Sequence, residues 1–194
     1  MEDIVGSSKA INRLLGATAI AGVGVFIIVV LSLHMLQPDY DPRHQLMSEL
    51  ALGTHGTWML LAFFGMAAAT GAVAAAALLQ LRTSPAGFAF LVASGGFVAS
   101  GLYPLGAASS LHIASISVAF VFIVLGMYLL PTTSVFGWPA LHPVTWSLAA
   151  AITASVAAGQ AGVALGVAQR LAAASLIAWL LIIGVVLCQE RPDA

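Results

Sequence analysis

The chain has 194 residues, 61% of them hydrophobic and only 7% charged, with a net charge of −1. A soluble domain carries about 25% charged residues; the charges here are too few to cover a water-exposed surface, which excludes a soluble globule and leaves a polytopic membrane protein. A near-neutral chain also offers no basic face to nucleic acid.

In chain order, residues 1–13 form a polar lead with Lys9 and Arg13. Leu14 to Leu36 then runs without an acid or a base other than His34. A stretch of that length spans about 30 Å of hydrocarbon, and it exceeds the apolar core of a cleavable signal, so it reads as an uncleaved first helix. The second span is predicted over 58–81, between Trp58 and Arg82, and Thr83-Ser-Pro85 makes a tight turn. The third runs over 86–103 and stops at Pro104, and the fourth runs over 111–130 and stops at Pro131. Prolines at 131, 139 and 143 make a loop of the next segment. The fifth span is 144–165 and the sixth 171–188, ending at Cys188. That single cysteine has no partner for an intrachain disulfide and reads as a small buried hydrophobe. Lipid admits no open sheet edge, so the fold class is an all-α membrane protein. Its architecture is a bundle of six transmembrane helices, one domain over residues 1–194. Runs of alanine and glycine such as 67–77 let the helix backbones approach closely.

Between Arg13 and Gln189 the only acids are Asp39, Asp41 and Glu49, all within the first long connection, residues 37–57. Asp41-Pro42 has the form of an N-cap followed by proline at the first helical position, and Gly53 suits a helix stop. A short interfacial helix over 42–52 is therefore predicted, with His44 and Ser48 on one face. It would lie as a lid over one mouth of the bundle. Lys9, Arg13, Arg82 and Arg191 fall on one side of the membrane and Arg43 and Arg170 on the other. The positive-inside rule then places both termini in the cytoplasm and the lid outside, in a cell inner membrane. Arg170, at the predicted start of helix six, is either an interfacial anchor or a partner for Asp39, Asp41 or Glu49. His34, Asp39, Asp41, Arg43, Ser48, Glu49, His112 and Arg170 together make a candidate polar site at the outer end.

Ser48-Glu-Leu-Ala-Leu-Gly53, preceded by Asp41-Pro42, resembles the signature of the DUF998 family of uncharacterised membrane proteins. Phe63-Phe64-Gly65, a histidine opening helix four (His112), Gly166-x-x-Gln169-Arg170 and Trp179 fit the same family, and the resemblance covers nearly the whole chain. Where the family usually carries a Phe-Pro-Thr-Asp-Pro-like segment, this chain has Leu102-Tyr-Pro-Leu-Gly-Ala-Ala-Ser-Ser110, without an aspartate. The resemblance implies a six-helix membrane fold and no established activity.

The residues themselves favour a site that binds a lipid headgroup or small amphiphile, or that docks a partner protein within a larger membrane complex. A membrane-embedded metal-dependent hydrolase would need three or so ligands from His34, His55, His112 and Asp39 or Asp41. No metal-ligand spacing marks them. A single b-type haem near the outer face would need His34 and His112. A Ser48–His44 dyad lacks an oxyanion site. A midplane transport site lacks ionisable groups at depth. The sequence leaves the cofactor unknown, with a metal or a haem both open.

Overall fold

Apolar runs of membrane length must satisfy every backbone amide internally, and the chain does so with helices. The computed structural model describes residues 2–133 and 141–189, and among these no strand occurs. The helices are α1 (Glu2–Leu36), α2 (Met59–Gln80), α3 (Pro85–Leu102), α4 (Ser109–Thr133), α5 (Leu141–Gln160) and α6 (Leu165–Cys188). Six segments are long and apolar enough to cross a membrane, the first beginning at Lys9. Helix α1 starts well before the predicted Leu14, because nothing in the polar lead breaks a helix. Pro143 falls in the first turn of α5, where proline is tolerated. Tryptophans next to membrane spans, here Trp138 and Trp146, read in sequence as interfacial anchors; Trp138 lies outside the described residues, and Trp146 is exposed on α5.

The helices form a ring in chain order. Helix α1 packs against α2 on one side and α6 on the other, α2 packs on α3, and α3 on α4. The α4–α5 pair has the sparsest packing of any neighbouring pair in this ring. The tightest crossings are made by glycine. A β-carbon on Gly65 would come within 2.5 Å of the Gly22 carbonyl oxygen, and one on Gly16 within 2.5 Å of the Gly184 carbonyl oxygen. Helix α1 is thus pinned to α2 and α6 backbone to backbone. The core between the helices is closed by Trp179, which is fully buried. Its Nε1–H donates to Thr145 Oγ1 at 3.2 Å and its ring lies 5.2 Å from that of Phe90.

Helix α3 starts as its sequence dictates. Ser84 Oγ accepts from Gly87 N at 3.2 Å, and Pro85 takes a first-turn position. Gly162, with φ +96°, turns the chain between α5 and α6. Gly162 and Gly166, whose spacing in the sequence resembles a small-residue packing motif, therefore lie on a turn and a helix start and do not share a helix face. Helix α6 begins at Leu165, before the predicted 171, so Arg170 stands in its second turn and not at the helix start.

Candidate functional site

The connections 37–58, 103–108 and 161–164 meet at one end of the bundle, and the first of them is a lid across it. The lid is not the predicted helix over 42–52. Residues 42–45 are turn, and a 3-10 helix covers Met47–Leu52. Asp41 spends its carboxylate locally: Oδ1 accepts from Arg43 N at 2.8 Å and Oδ2 meets His44 Nδ1 at 2.6 Å. Glu49 Oε1 accepts from Leu46 N at 2.9 Å, which caps the 3-10 helix from its third residue. Leu50 and Met47 point into the bundle, and so does Ser48. His44 is exposed, so the predicted His44–Ser48 face does not form.

The lid is held mainly by the first turns of α6. Arg170 Nη1 donates to Gln45 O at 3.1 Å and to Gly166 O at 2.9 Å. Its Nη2 donates to Tyr40 Oη and to His34 Nε2, the latter at 3.2 Å. His34 Nδ1 lies 2.6 Å from Val30 O and must carry its proton to donate there, which leaves Nε2 as the acceptor Arg170 needs. Tyr40 Oη passes the chain on to Leu46 O at 2.9 Å. Burial pushes the Tyr40 phenol above its ordinary range, against the lowering pull of Arg170, so it stays a donor. Two further bonds run from α6 to the lid. Met47 N donates to Gln169 Oε1 at 2.6 Å, and Val167 N donates to Arg43 O at 3.2 Å. Just past the end of α1, Gln37 Nε2 donates to Leu50 O at 3.0 Å and to Thr54 O at 2.9 Å.

The predicted polar set therefore divides. His34 and Arg170 join in the latch. No carboxylate among the described residues pairs with Arg170; its partners are neutral oxygens and one imidazole nitrogen, so of its two predicted roles the pairing with Asp39, Asp41 or Glu49 does not form. Asp41 and Arg43 are exposed on the lid, and hydrogen bonds from His44 and Arg43 N hold the Asp41 carboxyl below its usual range. Asp39 and Glu49 line a separate shallow pocket of about 270 Å³ on the outside of the lid. Ser48 faces inward. His112 is only 1% exposed and stands apart, its Nδ1–H shared between Ser100 O and Tyr103 O, both at 3.0 Å. The edge of its ring meets Phe63 at 5.3 Å. Gln37, Tyr40, Gly166 and Gln169 are the residues the predicted set omitted; Gly166 and Gln169 already stood in the string that carries Arg170.

Several spaces border the lid, and one of about 410 Å³ lies between it and α2 and α3, lined by Ala51, Gly56, Met59, Ser100 and Pro104. An interior cavity of about 30 Å³ is walled by aromatic and aliphatic side chains including Phe63, Phe97 and Leu176, with Ser48 and Gln169 as its polar atoms. A groove of about 350 Å³ runs along the α4–α5 seam, floored by α6, between Ser117, Val121, Val156 and Gln160. Ile116, Phe120 and Gln169 line both. The chemistry open to this end is limited. Among the described residues no three side chains of His, Cys, Asp or Glu come together as a metal-ligand set. Both ring nitrogens of His34 are engaged, so an axial haem bond from His34 would first have to break the latch.

Comparison with known proteins gives one finding: the family described as "Protein of unknown function (DUF998)" matches residues 20–186. No curated protein and no solved structure matches the chain.

Proposed function

The chain belongs to the DUF998 family of proteins of unknown function, and from that premise we propose that it is a membrane protein that holds a small amphiphile or lipid in the α4–α5 groove, under the lid. The observation that carries this reading is the groove itself. Its volume of about 350 Å³ falls in the range of small-molecule sites, and it opens sideways between membrane-spanning helices. Its walls are apolar along Val121 and Val156, and its lid end carries Ser117, Gln160 and Gln169. An acyl or isoprenoid tail suits the first part and a small uncharged head the second. Arg170 acts as the latch that shapes the site and not as a headgroup ligand, because both terminal nitrogens already donate twice. The same reading places the lid on the extracytoplasmic side of a cell inner membrane, with both termini in the cytoplasm, following the distribution of Lys and Arg.

Native mass spectrometry of the gently solubilised protein tests this. The wild type is expected to retain one amphiphile per chain, and Ser117→Trp, which fills the groove from an exposed position on α4, is expected to lose it by about tenfold or more with little change in melting temperature. Equal retention in the two proteins would refute the groove as the site.

A further inference from the structure

The amide of Gln169 is tied down at one end and free at the other. Met47 N–H donates to it at 2.6 Å, and only the amide oxygen can accept, so Oε1 is turned to the lid. Among the described residues the side chain makes no other hydrogen bond. Nε2 therefore keeps its N–H pair without an acceptor, and the bond from Met47 forbids the flip that would present oxygen in its place. Gln169 is itself a wall of the α4–α5 groove, and with Ile116 and Phe120 it borders the interior cavity as well. The other polar side chains of the groove, Ser117 and Gln160, are exposed and can each donate or accept. No charged residue lines the groove. Its one committed polar group is a donor.

We infer that the amphiphile held by the groove is a neutral one whose head presents a carbonyl oxygen, and that this oxygen accepts from Gln169 Nε2. The inference rests on the groove reading and narrows it to a ligand class: long-chain esters and ketones, the carbonyl coming from an acyl ester or from an isoprenoid quinone. A phosphate or carboxylate would bring its charge against Ile116, Phe120 and Val121, with no lysine, arginine or histidine in the groove wall to balance it. An ammonium head offers only donors to a group that is itself a donor. A hydroxyl oxygen can accept as well, so a long-chain alcohol is the competing occupant. In a bilayer, however, a hydroxyl already finds acceptors on the lipid head groups, whereas a carbonyl depends on donors. A fixed N–H pair is therefore worth more to the carbonyl.

The test uses the full chain in nanodiscs of ether-linked phosphatidylcholine, a lipid with no carbonyl and no N–H or O–H of its own. The probes are 2-tridecanone, methyl dodecanoate, 1-tridecanol and tridecane, compared after correction for their partitioning into the lipid. The wild type is expected to bind at least one of the two carbonyl probes about tenfold more tightly than tridecane, and about threefold more tightly than the alcohol. Preference for the ester names an acyl ester as the source of the carbonyl, and preference for the ketone a quinone. Gln169→Glu, measured at pH 8, keeps an oxygen for Met47 N and removes the N–H pair; it should bring the carbonyl probes within about twofold of tridecane. In the wild type the ¹⁵N resonance of Gln169 Nε2 should move on adding the favoured carbonyl probe and stay still with tridecane, a readout that needs no variant should Gln169→Glu fail to fold. Tridecane or the alcohol bound as tightly as both carbonyl probes, or a carbonyl preference that persists in a folded Gln169→Glu, would overturn the assignment and leave the groove standing. Binding of none of the four would remove the groove reading and this inference together.

Discussion

Replacing Arg170 by methionine is expected to free the lid while the six helices stay in place. Methionine keeps the aliphatic stem and removes four donated hydrogen bonds, to Gln45 O, Gly166 O, Tyr40 Oη and His34 Nε2. Bonds from a charged donor are worth about 1.5–3 kcal/mol each. They share one side chain and are partly open to water, so they do not add, and a loss of about 2–4 kcal/mol in all is expected. Arg170→Lys should fall between the two, since one ammonium cannot span acceptors on both sides of a planar fork. The readout is a cysteine at position 48, which the lid buries to 6% exposure, in a chain whose own Cys188 is replaced by serine. Maleimide labelling should be slow with Arg170 present and at least about tenfold faster without it. Applied from outside the cell, the same reagent reports the side on which the lid lies.

Gly166→Ala is expected to unseat the lid almost as fully as Gly166→Val. A β-carbon here would lie 2.6 Å from both Pro42 O and Gln45 O, and both are backbone atoms that cannot turn aside as a side-chain tip can. The clash begins with the first carbon, so further branching adds little. Overpacking of this kind costs about 1–3 kcal/mol. The strain falls on the bonds from Val167 N to Arg43 O and from Met47 N to Gln169 Oε1. Hydrogen exchange should therefore show lost protection at the amides of Val167 and Met47, with α1 and α2 unchanged. Retained protection at both amides would show that the lid does not depend on this close approach.

The six spans were legible because membrane helices are written as long apolar runs, and the lid because it alone carries acids in the interior of the chain. Their ends were less legible. Nothing in the polar lead marks where α1 begins, and the α5–α6 turn depends on the left-handed Gly162, which reads in sequence like one more packing glycine. The lid's local structure misled for a definite reason. Asp41-Pro42 looks like a helix start, but Asp41 is consumed by Arg43 N and His44, and the backbone beyond it is drawn to Val167 and Arg170. The Arg170 partner was missed on the same ground. Carboxylates stand out in a sequence, whereas backbone carbonyl acceptors such as Gln45 O and Gly166 O leave no mark in it. His112 stood out as a residue, but its separation from the latch follows from the bonds it makes to α3, which spacing does not encode.

The central claim is that the α4–α5 groove selects its occupant and does not merely touch bulk lipid. Val156 lines the groove and is 48% exposed, while Val118 on α4 is 41% exposed and outside it. The two therefore meet the membrane to a similar extent. A small photoreactive leucine analogue at each position, irradiated in native membranes and followed by mass spectrometry of the adducts, separates selection from contact. The expected result is one class of amphiphile dominating the adducts at 156, and adducts in proportion to the bulk lipid at 118. Bulk lipid composition at both positions would contradict the claim.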